Sequence, residues 1–353
     1  MGNKIIIGPT PPAIGGIATI VQSLKEGFSN DPDVKILSVN KTNNKLFNIF
    51  HSAFMLIKIL FVGIKSRQGT VLMFSSAYNS FWEKCLWVLI CKILGLHTTI
   101  LMVDGNFPSF YSGLSRLKKL LAIFLIKQVN VLAVQSKQWE IFYHDIFPLS
   151  NIKIVNPGID TNYFHPRIEQ NENKCLNILF VGWLISDKGI YDLLNAIKII
   201  DAYDEKFKLF LLGPDFGNKN HIIEFINKHN LEGLVEFKAP TTSRESILKA
   251  YHSADIFVFP SHFEGFPYAL MEAISCGLPC IGTRVGGIPD ILDDGKCGIL
   301  IEAKKPKELA NALIELIRNK EQRKKISHNA RERAVTQYSL RKSFNDFKDI
   351  LFK

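Results

Sequence analysis

Two glutamates, Glu264 and Glu272, stand with seven residues between them in a run that reads strand, loop, helix. A carboxylate accepts hydrogen bonds from vicinal hydroxyls, which is the recognition task set by a ribose or a hexose. Residues 255–259 are a short apolar run stopped by Pro260. Residues 268–276 read as a helix, with Pro267 at its first position and Gly277 just past its end. Glu264 then lies at the helix mouth, and Glu272 lies about one and a half turns in at about 1.5 Å rise per residue. Met271, Ala273 and Ile274 surround Glu272 with apolar side chains, so a carboxylate there needs a partner. A second apolar run, 280–282, leads through Gly286 and Gly287 to Pro289 and brings another helix start to the same sheet edge. Helix N-termini gathered on such an edge attract phosphate.

The elements that must position these residues form two similar series. Strands read at 5–7, 34–39, 70–74, 98–103 and 129–135, with helices between them at 17–28, 47–66, 81–94 and 116–125. The pattern restarts with strands at 176–181, 207–212 and 235–238 before the glutamate segment. Each series opens on an apolar strand and a glycine-rich turn, Gly15-Gly16 in the first and Gly182 to Gly189 in the second. Apolar strands alternating with helices predict an α/β protein of two doubly wound domains, with ligands outside the carboxyl ends of the strands.

The ordered pattern Glu264-Gly265-Phe266-Pro267, Leu270-Met271-Glu272-Ala273, Gly277-Leu278-Pro279 and Val285-Gly286-Gly287-Ile288-Pro289 resembles the retaining glycosyltransferases of the GT-B class, family 4 or group 1. It is similar to the bacterial branch that builds capsule, O-antigen and exopolysaccharide units. The resemblance runs over nearly the whole chain and implies two Rossmann-like domains facing a cleft. Residues 1–163 would bind the acceptor, with 338–353 returning to pack on them, and residues 164–337 would hold the donor. The implied reaction moves a hexosyl group from a nucleotide diphosphate sugar to a saccharide on a polyprenyl diphosphate, without metal or cofactor. A UDP-sugar is favoured and GDP-mannose stays open. Carried over residue by residue, Lys188 meets the diphosphate, Glu264 the sugar and Glu272 the ribose hydroxyls. Backbone groups of Gly265, Phe266, Tyr268 and Ala269 meet phosphate or sugar, and Gly15, Gly16 and Gly182 border the diphosphate.

Two positions depart from that pattern. Asp104 stands where relatives carry a sugar-facing His before Gly, which makes it the candidate for binding a donor or acceptor hydroxyl. Trp183 stands where relatives carry a phosphate-holding Arg, and Arg284 is the candidate to supply that charge. A nucleotide-sugar-binding subunit without catalysis, or an epimerase on the same fold, would share the nucleotide-side pattern. The presence of both Glu264 and Glu272 with Lys188 favours the transferase, because binding alone has little need of a sugar-side carboxylate. No strand ends in D-x-D, since Asp31-Pro32-Asp33 falls in a helix-to-strand turn.

The chain of 353 residues with 47% hydrophobic content suits two domains with sizeable cores. Its net charge of +10 is concentrated early: residues 41–127 carry eleven Lys or Arg against two acids, whereas from 166 onward 27 basic residues face 25 acidic ones. The early basic residues interleave with aliphatic stretches such as 116–125, which points to an anionic membrane surface and away from nucleic acid. Residues 46–64 approach a bilayer span in length, but Asn48, His51 and Lys58 interrupt it. The six cysteines form no C-x2-C pair and read as reduced core thiols. The apolar run at 4–8 is too short for a signal peptide and suits a first strand. The expected location is therefore cytoplasmic, against the inner face of the membrane.

Overall fold

The computed structural model describes residues 3–10, 16–39, 45–65, 69–168, 175–203 and 205–352. The chain divides into two compact units, Met1–Gly158 with Leu340–Lys353, and Ile159–Ser339. These divisions differ by a few residues from the expected 163/164 and 337/338. The crossing segment joins the second unit because the Ile159 N–H donates to Tyr338 O at 2.7 Å and the Phe164 ring packs on Tyr251 at 6.1 Å.

The first unit alternates β1 (Lys4–Gly8), α1 (Gly16–Gly27), β2 (Val34–Ser38), α2 (Lys45–Lys65), β3 (Thr70–Ser75), α3 (Asn79–Ile93) and β4 (His97–Met102). It continues through α4 (Phe107–Ser112), α5 (Arg116–Ile126), β5 (Val131–Val134), α6 (Lys137–Ile146) and β6 (Ile152–Ile154). The strands form one parallel sheet in the order β2-β1-β3-β4-β5-β6. Ser136 caps α6 as its position suggests, its Oγ accepting the Trp139 N–H at 3.2 Å. No helix among the described residues is long and apolar enough to cross a membrane, α2 included.

The second unit runs β7 (Leu176–Val181), a 3₁₀ turn at Ser186–Lys188, α7 (Ile190–Asp201), β8 (Phe207–Leu212), α8 (Lys219–Lys228), β9 (Val235–Lys238) and α9 (Arg244–Ser253). There follow β10 (Ile256–Phe259), α10 (Tyr268–Ser275), β11 (Cys280–Thr283), α11 (Ile288–Ile291), β12 (Ile299–Ile301), α12 (Pro306–Arg318) and α13 (Lys320–Gln337). Its parallel sheet has the order β12-β11-β10-β7-β8-β9. Both faces are covered, and the strands show why they read as unbroken apolar runs. Ile178, Phe180, Ile256 and Val258 pack into one core, while Leu179, Phe257 and Phe259 pack into another on the opposite face. The last helix, α14 (Leu340–Leu351), belongs to the first unit. Phe344 contacts Phe28 at 4.5 Å, and the Ser343 hydroxyl donates to Asn156 O at 2.7 Å.

Candidate active site

In the second sheet the chain reverses its direction of winding between β7 and β10, and the loops leaving the carboxyl ends of these two strands flank the switch point, where doubly wound sheets open their ligand crevice. The β7 loop carries Gly182 to Gly189, and the β10 loop carries Pro260 to Pro267. Glycine lets these backbones touch. Gly189 has φ +72°, and a Cβ there would stand 2.0 Å from Pro260 O. Gly286, with φ +55°, would place a Cβ 1.9 Å from Glu264 O, and the Gly287 N–H donates to Gly265 O at 2.8 Å. Three loops are thereby locked together without side chains between them.

Glu264 and Lys188 meet in this crevice, with Nζ 2.5 Å from Oε1 and side chains only 10% and 22% exposed. The Ser261 hydroxyl also donates to Glu264 Oε1 at 2.8 Å, and Ser261 is itself fixed by Thr283 Oγ1 donating to its carbonyl at 2.6 Å. Glu264 Oε2 has no partner among the described residues, so the carboxylate keeps acceptor capacity for a ligand hydroxyl. The Lys188 turn is tied to the β10 loop twice: the His262 N–H donates to Asp187 O at 2.8 Å, and His262 Nε2 lies 2.5 Å from Asp192 Oδ2.

Glu272 has the partner its apolar surroundings demand. Tyr251, fully buried on α9, donates its hydroxyl to Glu272 Oε2 at 2.8 Å and approaches Ala269 O at 3.1 Å. Burial pushes the Glu272 carboxyl up to about 7, while the Tyr251 hydroxyl and the Arg244 charge pull the other way. Burial, and then the charge and hydrogen bond of Glu272, hold the Tyr251 hydroxyl well above its ordinary range. Arg244 reads from sequence as a surface charge. It is half exposed, 3.4 Å from Asp160 Oδ2 and 4.2 Å above the Tyr163 ring, yet near enough to Glu272 to bias its charge.

Tyr268, and not Pro267, is the first helical residue of α10. Pro267 is the N-cap in an extended conformation, φ −75° and ψ 119°, and supplies no side-chain cap. The backbone N–H groups of Phe266, Tyr268 and Ala269 have no acceptor among the described residues. Together they form a cluster of donors at the crevice. The Phe266 ring turns inward, 7% exposed and 5.6 Å from Tyr338, so its backbone alone faces the edge. The Tyr268 hydroxyl is buried with no hydrogen-bond partner among the described residues, and burial raises its pKa.

Gly15 lies outside the described residues, and Gly16 opens α1 in the first unit. The Gly182 N–H is committed to Leu212 O at 3.0 Å. Arg284 is bound to Asp294 at 2.8 Å and lies 3.9 Å from Glu302, with no contact to Lys188 or Glu264 among the described residues. Asp104 follows β4 in the first unit and accepts one backbone N–H on each carboxylate oxygen, from Ala77 and from Asn106, both at 2.8 Å. It staples the β3 and β4 loops, which a strand-ending Asp does as readily as it binds ligand. Nothing in the local sequence singles out Ser261, His262, Asp192 or Tyr251. A cavity of about 440 Å³ lies at the opposite, amino edge of the second sheet, lined by Arg167, Asp255 and Arg323, and it includes none of Lys188, Glu264 and Glu272.

Residues 164–333 match the model of the family glycosyl transferases group 1. N-acetyl-alpha-D-glucosaminyl L-malate synthase of Bacillus anthracis is 27% identical over 73% of this chain and 66% of its own length. The capsular polysaccharide biosynthesis glycosyltransferase CapM of Staphylococcus aureus is 30% identical over 49% of this chain and 46% of its own length. The chain thus spans between about half and two thirds of the curated relatives it matches. The Anabaena protein HepE, solved in complex with UDP, superposes with a TM-score of 0.77 at 15% identity, covering 99% of each chain. That likeness establishes the GT-B fold for both units.

Proposed function

We propose that this chain is a retaining glycosyltransferase that moves a hexosyl group from a nucleotide diphosphate sugar to a saccharide carried on a polyprenyl diphosphate. The observation that carries the reading is the Lys188–Glu264–Ser261 cluster on the same loops as the unpaired amides at the start of α10, at the switch point of the second sheet. The ammonium of Lys188 and the α10 amides suit a diphosphate, whose charge grows as the glycosidic bond breaks. Glu264 keeps one oxygen for a sugar hydroxyl. Glu272, oriented by Tyr251, accepts from the ribose. In this chemistry the leaving phosphate oxygen takes the proton of the attacking hydroxyl as the new bond forms on the same face, so no side-chain base is required and positioning supplies much of the acceleration. Asp104 keeps its shape-holding role, and the charge of a second phosphate cation falls to groups other than Arg284. UDP is the favoured nucleotide because HepE was solved with it, and surface polysaccharide synthesis is the favoured setting because CapM is named for it.

The lipid-linked acceptor draws support from the first unit. On α2, Phe50, Phe54, Ile57 and Phe61 form an exposed stripe, and on α5 Leu117, Leu120, Leu121 and Phe124 form another. Both helices pack on α3, and Arg116, Lys118, Lys119 and Lys127 flank the α5 stripe. Apolar side chains beside cations fit an anionic bilayer surface. The test is release of nucleoside diphosphate from UDP-glucose, UDP-N-acetylglucosamine and GDP-mannose in the presence of short-chain polyprenyl-diphosphate saccharides, with product configuration read by NMR. Transfer with retention, lowered about 100-fold or more in Glu264→Gln, is expected. Inversion, or hydrolysis indifferent to acceptor, contradicts the proposal.

A further inference from the structure

We infer that Trp183 and Phe216 form a rigid aromatic platform on the rim of the proposed donor site, stacking against a ring of the bound nucleotide sugar. The inference rests on the function proposed above and adds a contact that the phosphate-holding pattern does not include.

Trp183 follows β7 and Phe216 follows β8, so both stand at the carboxyl edge, with Trp183 five residues before Lys188. Trp183 is 53% exposed and Phe216 is 64% exposed, and neither belongs to a core of the second unit. A single exposed apolar residue needs no explanation. Here two large rings brace one another edge to face, centroids 5.0 Å apart at 67°.

The backbone beneath them is fixed on both sides. The N–H groups of Gly182 and Leu184, flanking Trp183, donate to Leu212 O at 3.0 Å and Pro214 O at 2.9 Å. A Cβ on Gly213 would stand 1.9 Å from Gly182 O, so the two loops lie in direct contact. Phe216 holds φ +47°, a left-handed conformation that residues other than glycine adopt rarely and at a cost. The turn around it is closed by Asn218, whose N–H and side-chain amide both donate to Asp215 O, at 2.9 and 3.0 Å. A strained turn that presents an aromatic ring to solvent does nothing for the core, whereas it pre-orients a binding surface. The face of an aromatic ring is electron-rich and receives the polarised C–H bonds of a pyranose or the plane of a nucleobase.

The chain has four tryptophans, and Trp82, Trp87 and Trp139 all lie in the first unit, the latter two buried. Iodide quenching of the wild type minus that of Trp183→Phe therefore reports on Trp183. It is measured with UDP, with UDP-glucose and with a free oligosaccharide, and nucleotide binding is followed by calorimetry on the same samples. Shielding by UDP itself identifies the base as the stacked ring. Shielding only with the sugar attached identifies the hexose, and shielding by oligosaccharide alone, with none by UDP or UDP-glucose, overturns a platform on the donor site. Trp183→Ala should then weaken the shielding ligand about tenfold, with Trp183→Phe recovering most of the loss, and Phe216→Asn, which suits the left-handed turn but lacks the ring, should weaken it as well. Calorimetric binding with Trp183 equally quenched throughout overturns the platform and leaves the proposed function standing. Absence of binding and shielding for all three, and for GDP and GDP-mannose measured in the same way, overturns both.

Discussion

Replacing Glu272 by Gln should stabilise the second unit above neutral pH while impairing ligand recognition. Burial raises this carboxyl from 4.5 to about 7. Between those values the folded chain holds a proton that the unfolded chain has released, so stability falls as pH rises through the window and the penalty is complete above about pH 7. At about 1.4 kcal/mol per pH unit the penalty reaches about 3 kcal/mol. Glutamine preserves the hydrogen bond, because the Tyr251 hydroxyl that now donates to Oε2 at 2.8 Å can donate to an amide oxygen. Urea melts of both proteins at pH 5 and pH 8 provide the assay. The wild type should lose up to about 3 kcal/mol relative to the variant between these conditions. Curves that remain parallel across pH would refute the buried, strained carboxylate and the cost assigned to it.

Three further outcomes follow from the same geometry. If Glu272 binds the ribose hydroxyls as the carboxylate, nucleotide binding near pH 7 should release about half a proton, visible as a dependence of calorimetric heat on buffer ionisation enthalpy. Gly286→Ala should destabilise the second unit by about 2–4 kcal/mol in urea, because φ is +55° and the new Cβ meets Glu264 O at 1.9 Å. Arg331→Met should cost about 3–5 kcal/mol by the same measure, since the guanidinium donates to Thr161 O and Phe164 O at 3.0 Å and to Ser275 O at 2.7 Å.

How far the molecule is legible in its sequence depends on the range of the physics involved. The strand at 176–181 and the helix at 340–351 can be read to the residue, because parallel strands covered on both faces are continuous apolar runs and a helix advertises its buried stripe. β6 has three residues and α4 six, too short for any period to show, and neither is read from sequence. Within the candidate site, the seven-residue spacing singles out Glu264 and Glu272, and the family resemblance singles out Lys188. Their partners are not legible. Tyr251 on α9 reaches Glu272 on α10 from 21 positions away, and His262, in the loop after β10, reaches Asp192 on α7 across 70, pairings that only the packed sheet brings together. Asp104 is ambiguous for another reason: a strand-ending carboxylate looks the same in sequence whether it binds a sugar, takes the two backbone amides seen here, or does both. The charge of Arg284 is readable, but its capture by Asp294 depends on a turn in which Asp293 and Asp294 both adopt φ +48°.

The most direct test of the donor site is calorimetric titration of UDP and GDP into the purified chain, with Lys188→Ala and Glu272→Ala titrated alongside. The account predicts that one nucleotide binds and that each substitution weakens it by about 10- to 100-fold, the value of a charge-assisted hydrogen bond. Binding that neither substitution alters would contradict the placement of the diphosphate and ribose on these residues, and no binding of either nucleotide would contradict the transferase itself.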